Sequence, residues 1–432
     1  MINFSMNPKI GFYIHHTTCR CCESPNLVKV MDFGLMPLAG GFLREEEIAG
    51  EKTYPLHVSF CGDCTLLQVP QAIPPETLFK NYFYFSSAIK TLVDHCAAWA
   101  EETYDRFLKN REHPSVFEIG CNDGVMLKPF AALGVKAVGV DPATNVVNSV
   151  RQRGFTIIND FFNEAVAKRI AHEHGTFDVI TSSYSFAHID DMMSVGRGLA
   201  RLLQDDGIFV FEVYYLGTLI EEMQYDMIYH EHCNYYSLKA LQNFLGQYGM
   251  EIFDVKFTPG VRSGAARFYA QKKWGNQKVT DVVKKMERDE VTKGYHNRRI
   301  FEEYGNKIER TKIALMELLT KLKAQGKTII GYGASGRGTM IMNYCGIDGR
   351  HLDYVVDDAP AKHGLYTPGT HVKIEPWERT GKGAFPDYAL LFAWSFMKEV
   401  LDKRQDYLAR GGKFIVPLPE VSIIGKNGEE TP

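Results

Sequence analysis

Residues 225–237, YDMIYHEHCNYYS, place two histidines and four tyrosines within thirteen positions. General acid and base catalysis needs side chains that titrate near neutral pH or can be tuned there, and histidine, glutamate and tyrosine meet this requirement. The segment therefore predicts proton-transfer chemistry. Its candidate residues are Tyr229, His230, Glu231 and His232. A structural turn with packed aromatic rings and solvated histidines is the alternative that the segment alone leaves open.

The bulk composition limits the kind of protein to which this segment belongs. The chain has 432 residues, of which 45% are hydrophobic, and this length predicts about three globular domains. Its 49 lysines and arginines nearly balance 52 aspartates and glutamates, so overall charge predicts no nucleic-acid partner. No signal-peptide pattern and no apolar run of membrane-spanning length is present in the sequence. We expect a cytoplasmic protein without a membrane partner, and a monomer because no coiled-coil seam is evident.

Cysteines cluster near the N-terminus in a spacing typical of zinc knuckles. Of nine cysteines, five lie in the first 64 residues, and four of these five form two C-x2-C pairs. Four thiolates can surround zinc tetrahedrally, and so short a segment needs such a staple to fold. The predicted ligands are Cys19, Cys22, Cys61 and Cys64. Cys21 is an alternative to Cys22, and a redox dithiol is the alternative to zinc. A closed four-thiolate site has no coordination position open to substrate, so we interpret this zinc as structural. We expect its domain to position another part of the protein.

A proline-rich linker near residues 71–75 separates the cysteine region from an aromatic cluster and a helical pattern. Tyr82 and Tyr84 lie in this cluster, close to Ser86 and Ser87. They could form a lid over a ligand or an aromatic hinge packed between domains, and the sequence favours neither.

From Ser115 onward, short apolar runs alternate with helical patterns. The runs VFEIG, VKAVGV, FTII, FDVITSS and IFVFEV are separated by amphipathic stretches, which is a β-α-β-α succession. This order predicts an α/β fold built on a doubly wound parallel sheet.

The loop EIGCNDG, residues 118–124, joins the first strand of this pattern to the first helix, at the sheet edge where ligands bind. Its glycines let the backbone approach a ligand closely. The spacing differs from the G-x-G-x-x-G of dinucleotide sites, and its acids would repel a pyrophosphate but attract a cationic sulfonium. Asp141, at the end of the second strand, can accept both ribose hydroxyls, and Asp160 can reach the adenine. A nucleotide-binding domain of another use is the alternative. The predicted cofactor contacts are Glu118, Gly120, Asn122, Gly124, Asp141 and Asp160.

EIGCNDG together with GVDP resembles the cofactor site of class I S-adenosylmethionine-dependent methyltransferases. The combination of cysteine knuckles, FAHIDD, EVYYL and IYHEHCNYYSL resembles the nucleotide-sugar C-methyltransferases of deoxysugar pathways. Members of that family add a branching methyl group at C3 of a 4-keto-6-deoxy sugar. The resemblance covers nearly the whole chain, and YHEH is its most particular part. It implies S-adenosylmethionine as cofactor and a nucleoside-diphosphate sugar as substrate.

The resemblance also implies roles for single residues. Methylation beside a ketone requires a base for the C3 proton and a partner for the enolate oxygen. We predict His232 as the base, with Tyr229 as its partner or the alternative base. Glu231 is expected to orient a sugar hydroxyl or the imidazole, and His188 to face the ketone oxygen. The family further implies an active-site tyrosine at Tyr82 or Tyr84.

The rest of the chain follows the same resemblance. Residues 250–273 are expected to form the antiparallel strand pair that ends such methyltransferase sheets, followed by a charged helical stretch with a solvated face. KTIIGYGASGRGTM then predicts a strand, a glycine turn and a helix. Alone this turn suggests a dinucleotide site, whereas the family implies a Rossmann-like domain that helps to hold the nucleotide sugar. The implied substrate contacts are Arg267, Gly333, Ser335 and Arg337.

These patterns divide the chain into a zinc-binding domain (1–75), a methyltransferase domain (76–255) and a C-terminal Rossmann-like domain (256–432). The sequence departs from the family at VRSGAARF, where a Gly-Gly-Ser-x-Arg run is usual, and at Arg337 and Ser395, where lysine and asparagine are frequent. These departures leave open which sugar and nucleotide are bound.

The geometry of YHEH sets one further expectation. In an extended strand Tyr229 and His232 would point to opposite faces, so the segment must turn for the two to act together. A metal site at His230 and His232 is the competing interpretation, but Asn234 stands where the second histidine of H-E-x-x-H would be. An O- or N-methyltransferase and a zinc-knuckle binding protein with inactive Rossmann-like domains are the alternative functions.

Overall fold

The computed structural model describes residues 10–79, 85–151, 154–258, 264–381 and 385–430. Within these ranges the strands form two seven-stranded sheets, one four-stranded sheet and a two-stranded ribbon. Each of the three larger sheets lies at the centre of one unit of the chain, and the four-stranded sheet of the N-terminal unit also takes in the later strand Asn234–Tyr235.

The N-terminal unit is built on an antiparallel hairpin. Its strands are β1 (Ile14–His15), β2 (Leu27–Pro37), β3 (Thr53–Cys61), β4 (Leu67–Gln68) and β5 (Gln71–Ala72). The predicted linker at residues 71–75 starts within a strand in the structure. Its first two residues form β5, which pairs with β1. Gln71 is also buried, and its side chain accepts the backbone N–H of His57 at 3.1 Å. The linker is therefore shorter than the proline spacing predicts.

The central unit alternates helices and strands. Its elements are α1 (Pro75–Phe79), α2 (Lys90–Thr103), β6 (Ser115–Ile119), α3 (Leu127–Ala132), β7 (Lys136–Val140), α4 (Thr144–Arg151), β8 (Thr156–Ile158), α5 (Glu164–His174), β9 (Phe177–Ser183), α6 (Met192–Leu202), β10 (Leu203–Tyr214), α7 (Leu216–Glu221), β11 (Asn234–Tyr235), α8 (Leu238–Gly246), β12 (Met250–Phe257) and β13 (Ala265–Lys272). The sheet order is β12-β13-β10-β9-β6-β7-β8. Strands β6 to β10 are parallel, and β13 and β12 add antiparallel strands at one edge. The predicted doubly wound sheet is confirmed. Because β13 lies in this sheet, the central unit extends past the predicted boundary at residue 255.

The C-terminal unit contains a second parallel sheet behind a long helix. Its elements are α9 (Asp281–Lys293), α10 (Arg298–Ala324), β14 (Ile329–Tyr332), α11 (Gly336–Cys345), β15 (Val355–Val356), β16 (Ile374–Glu375), β17 (Tyr388–Leu391), α12 (Met397–Lys403), α13 (Gln405–Ala409), β18 (Lys413–Val416), β19 (Ser422–Gly425) and β20 (Gly428–Glu430). Strands β16, β15, β14, β17 and β18 are parallel, and β19 and β20 are antiparallel. This is the predicted Rossmann-like arrangement. Helix α10 buries apolar residues at helical spacing and exposes its charges, as predicted.

The units share one buried core. The ring of Phe60 in β3 lies 5.2 Å from that of Phe301 in α10, and Thr339 Oγ1 in α11 donates to the Ala39 carbonyl at 3.1 Å. One apolar cluster accordingly runs through the zinc-binding, central and C-terminal units. No described helix is long and apolar enough to cross a membrane.

Candidate active site

Four cysteines converge in the N-terminal unit. The Sγ atoms of Cys19, Cys22, Cys61 and Cys64 lie within 4.8 Å of one another. This all-thiolate set fits a tetrahedral zinc ion, which the residues would hold with no position open to substrate. Cys21 is buried outside the set, so the predicted choice of Cys22 matches the geometry.

The zinc-binding unit pairs with part of segment 225–237. Strand β11 is the edge strand of its sheet, with Asn234 opposite Gln68 and Tyr235 opposite Leu67. The Gln68 side chain in turn donates to Cys19 Sγ at 3.2 Å. The metal site and the YHEH segment are therefore separated by a single two-residue strand.

Tyr229 and His232 form a hydrogen-bonded pair. The chain turns between them, with the His232 N–H donating to the Tyr229 carbonyl at 2.9 Å, so the predicted turn is present. His232 Nδ1 lies 2.7 Å from the Met227 carbonyl, which can only accept, so Nδ1 carries a hydrogen. In the neutral ring Nε2 is then the acceptor, and the Tyr229 hydroxyl 3.0 Å away donates to it. This tautomer makes Nε2 the basic atom.

A second imidazole lies beside this pair. The ring of His188 is 5.0 Å from that of His232, and His188 Nδ1 donates to the Glu231 carbonyl at 2.7 Å. The half-buried Glu231 side chain has its pKa raised to about 7 by burial. A Cβ at Gly40 of the zinc-binding unit would lie 3.4 Å from Glu231 Oε1. The structure thus brings together His188, Tyr229, Glu231 and His232, as the sequence predicts.

His230 faces away from this group. It is buried, its Nε2 donates to the Pro55 carbonyl at 3.0 Å, and burial lowers its pKa to about 4. Within the described residues, the four cysteines are the one set with metal-binding spacing. The competing interpretation of a metal site at His230 and His232 therefore has no support in the geometry.

The glycine loop lies in a cavity of about 550 Å³ at the carboxyl end of the central sheet. Gly120 and Asn122 adopt left-handed conformations, with φ of 71° and 47°. A Cβ at Gly120 would lie 2.1 Å from Ser185 Oγ, so only glycine fits. Glu118 is buried, and its Oε2 has no hydrogen-bond partner in the described structure. An unpartnered buried carboxylate oxygen in such a loop fits a ligand with donor groups or positive charge.

Asp141 and Asp160 also line this cavity, as predicted. Asp141 accepts the Asn122 N–H at 2.8 Å and the Ala143 N–H at 2.9 Å, and each carboxylate oxygen keeps further acceptor capacity for ribose hydroxyls. Burial raises the pKa of Asp141, and burial followed by the charge of Asp141 raises the pKa of Glu118. Asp123 is expected from the sequence to attract the positive charge of the cofactor, but its carboxylate instead accepts the Ser87 N–H at 3.2 Å. It ties the short helical turn before α2 to the loop.

Arg267 is engaged elsewhere than the sequence predicts. Its guanidinium is buried, lies 2.8 Å from the fully buried Glu212 and stacks over Trp99 with 4.3 Å to the ring centroid. These contacts lie between α2 and the sheet, so we interpret Arg267 as structural. The resemblance to the family singles out position 267, and the ion pair with Glu212 explains why an arginine stands there.

Arg337 also contacts protein rather than lining the cofactor cavity. It forms a bidentate ion pair with Asp226, at 2.8 and 3.0 Å, and the Trp394 indole donates to the same carboxylate at 2.8 Å. Ser335 caps α11 by accepting the Gly338 N–H, and Gly333 is left-handed with φ of 95°. These three predicted substrate residues shape the start of α11. Tyr82 and Tyr84 lie outside the described residues.

Several residues of the site had no distinctive signal in the sequence. Asp226 stands among the aromatic residues of segment 225–237, while Tyr184 follows β9 and Tyr214 ends β10, where packing residues are common. The ring of Tyr214 lies 5.6 Å from that of His232. Trp394 also lines a second cavity, of about 1490 Å³, beside α10.

Three family models match the chain in succession: a zinc binding domain over residues 19–79, a methyltransferase domain over 94–255 and a C-methyltransferase C-terminal domain over 260–419. The chain is also similar to C-methyltransferase NovU of Streptomyces niveus, with 34% identity over 407 residues, which are 94% of this chain and 96% of the relative. The chain belongs to the C-methyltransferase family. The matched domains confirm S-adenosylmethionine and zinc as cofactors of this C-methyltransferase.

Other similarities to this C-methyltransferase are partial. The ubiquinone biosynthesis O-methyltransferase of Xanthomonas oryzae pv. oryzae is 29% identical over 94 residues, 21% of this chain and 39% of the relative. The magnesium protoporphyrin IX methyltransferase of Synechocystis PCC 6803 covers 42% of this chain and 78% of its own, at 16% identity and a TM-score of 0.30. The CcbJ methyltransferase of Streptomyces caelestis covers 41% and 89%, at 12% identity and 0.32. These distant structures carry no conclusion about the reaction.

Proposed function

We propose that this C-methyltransferase methylates C3 of a nucleoside-diphospho-4-keto-6-deoxy sugar through an enolate, in branched deoxysugar biosynthesis. One observation carries the proposal: the cavity of the cofactor loop also contains His188, whose ring lies 5.0 Å from that of His232. A carbon acceptor beside a ketone needs both a base and a partner for the enolate oxygen. His188 at the cofactor cavity, with the imidazole of His232 and the phenol of Tyr229 beside it, can meet both needs.

His232 acts as the base in this proposal. Its Nδ1–H bond to the Met227 carbonyl fixes the ring and stabilises the imidazolium that forms when Nε2 takes the C3 proton. The proton passes to Nε2 directly, or through the Tyr229 hydroxyl, which already donates to that nitrogen. The electron pair of the broken C–H bond moves to the ketone oxygen.

His188 can act as a donor to that oxygen only in its charged form. Its Nδ1–H is engaged by the Glu231 carbonyl, so a hydrogen on Nε2 requires the imidazolium. The Glu231 carboxyl, with its pKa near 7, can alternatively donate to a ketone or hydroxyl oxygen while protonated. Both residues are therefore assigned to the oxygen side of the acceptor.

S-adenosylmethionine, when bound, would supply the electrophilic methyl group, whose bond to sulfur breaks as its bond to C3 forms, with S-adenosylhomocysteine as the leaving group. The chain's own contribution would be to hold it with the backbone at Gly120 and Asn122 and the Asp141 carboxylate, which line the cavity, and with the buried Glu118 at the start of the same loop. For the nucleotide we propose the second cavity, where Trp394 offers an aromatic face and Arg310 a positive charge.

Proton exchange tests the proposal. The zinc-loaded protein is incubated in deuterated buffer with a thymidine-diphospho-4-keto-6-deoxyhexose and S-adenosylhomocysteine, and loss of the C3 proton is followed by NMR. Replacing S-adenosylhomocysteine with S-adenosylmethionine should yield a C-methyl product. The proposal fails if neither exchange nor a C-methyl product is found, and methylation of a hydroxyl or amine without exchange would indicate an O- or N-methyltransferase.

A further inference from the structure

Tyr184 adopts a backbone conformation that large side chains rarely occupy. It follows β9 directly, with φ of 61° and ψ of 0°, and its side chain is buried. Left-handed conformations are uncommon for aromatic residues and persist only where their surroundings impose them, often at functional sites. Glycine or asparagine would make the same turn with less strain. The turn alone therefore does not explain a tyrosine here.

Two contacts fix Tyr184. Its backbone N–H donates to the Glu212 carbonyl of β10 at 2.9 Å, which continues the parallel pairing of β9 with β10. Its ring lies 5.2 Å from that of Tyr214, at an interplanar angle of 49°. The strained backbone is thus held on one side by the sheet and on the other by an aromatic pair.

The location of Tyr184 links two parts of the site. Its side chain lines the cofactor cavity together with Gly120, Asp141 and His188. Its partner Tyr214 lies 5.6 Å from His232, ring centroid to ring centroid. Successive ring contacts therefore lead from Tyr184 at the cofactor cavity through Tyr214 to His232.

We propose that Tyr184 is a positioning residue for methyl transfer, whose ring sets the distance between the bound cofactor and the acceptor carbon that His232 deprotonates. The inference rests on the proposed function. The two steps of the reaction then depend on different residues. The Tyr229–His232 pair removes the C3 proton without Tyr184, whereas formation of the carbon–carbon bond depends on the ring of Tyr184. Loss of the ring should uncouple proton exchange from methyl transfer.

The test measures both steps in the same preparations. Tyr184→Asn removes the ring and suits the left-handed backbone, Tyr184→Leu removes the ring but keeps apolar volume, and Tyr184→Phe keeps the ring. With the thymidine-diphospho-4-keto-6-deoxyhexose, C3 proton exchange is followed by NMR and C-methyl product by single turnover. Calorimetry with S-adenosylhomocysteine and thermal unfolding supply readouts that do not depend on turnover. His371→Asn is the matched control, because His371 is also left-handed, with φ of 52°, and lies outside the cavity lining.

We expect Tyr184→Asn and Tyr184→Leu to lower transfer at least tenfold while exchange and S-adenosylhomocysteine affinity change less than threefold. Tyr184→Phe should retain transfer within threefold, and His371→Asn should match the wild type. The inference is overturned if Tyr184→Asn or Tyr184→Leu loses exchange and transfer equally, or if neither variant loses transfer. It is also overturned if Tyr184→Phe transfers the methyl group as slowly as Tyr184→Leu. A wild type without exchange or transfer would instead defeat the proposed function.

Discussion

His230 and His232 are two residues apart and have different neighbours. His232 Nε2 accepts from the Tyr229 hydroxyl, while His230 Nε2 donates to a zinc-domain carbonyl. The pKa of His230 is lowered to about 4 by burial, so its ring is neutral at physiological pH. We predict that His232→Asn lowers the turnover number by roughly 10²–10⁴. Calorimetry with S-adenosylhomocysteine should show unchanged cofactor affinity.

His230→Asn is the matched control for that prediction. It removes a buried hydrogen bond and should cost about 1–3 kcal/mol of unfolding free energy, while the folded enzyme turns over within a few-fold of the wild type. Steady-state kinetics and urea unfolding measure the two effects. Comparable losses of turnover in both variants would contradict the assignment of His232 as the base.

Glu231 predicts a pH dependence of stability. Burial raises its pKa from the ordinary value of 4.5 to about 7. The folded state then binds the proton more tightly than the unfolded chain, so this group lowers the free energy of unfolding as pH rises from 4.5 to 7. The full effect is about 3 kcal/mol as an upper bound. Glu231→Gln removes this titrating group. The free energy of unfolding of the variant should therefore rise relative to that of the wild type as pH increases from 4.5 to 7. Urea unfolding at pH 5 and pH 8 checks this, and parallel pH curves for the two proteins would contradict it.

Between elements, Arg337 joins the start of α11 to the turn that precedes Tyr229. Asp226 is fully buried, and its carboxylate is satisfied by Arg337 and Trp394. Burial alone would lower the pKa of Arg337, but the charge of Asp226 raises it above its usual value. Removing one member of such a pair leaves the other buried and unpaired, which typically costs about 3–5 kcal/mol.

We therefore predict that Arg337→Met destabilises the protein by about 3–5 kcal/mol and that adding Asp226→Asn recovers part of the loss, because the unpaired charge is gone. Urea unfolding of the single and double variants measures the coupling. C3 proton exchange should fall in Arg337→Met, since Asp226 lies three residues before Tyr229. Additive losses in the double variant would show that the pair contributes no coupling energy.

Elements formed by local patterns were predictable, and contacts between distant elements were not. The strand and helix order of the central unit follows from hydrophobic periodicity, and the C-x2-C pairs from spacing alone. The pairing of Arg337 with Asp226 joins residues 111 positions apart, and nothing near either one marks the other. Strand β11 has two residues and forms only against β4. The left-handed Tyr184 likewise has no local signal, because its conformation is imposed by Glu212 and Tyr214.

At the scale of the whole molecule, the site depends on all three units. The central unit supplies the cofactor loop and His188, the zinc-binding unit pairs with β11, and the C-terminal unit binds Asp226. Arg20, between two of the zinc ligands, adds a link, because its Nε donates at 2.7 Å to Asp190, which lines the cofactor cavity. The zinc site is therefore connected to both the proton-transfer pair and the cofactor cavity.

Removal of zinc should consequently affect the two functions unequally. A four-thiolate zinc site supplies roughly 10–16 kcal/mol of apparent binding energy to its fold, so its loss should release β11 from β4 and disorder the Tyr229–His232 turn. We expect C3 proton exchange to fall in proportion to the zinc removed by a chelator, and to return when zinc is restored. S-adenosylhomocysteine should still bind, more weakly by less than tenfold, because the loop at residues 118–124 belongs to the central sheet and the loss at the cavity is confined to the contacts of Arg20 and His16 with Asp190. Metal content, exchange and calorimetry on the same samples provide the measurement. A zinc-free protein that exchanges the C3 proton at the wild-type rate would show that the N-terminal unit does not position the pair.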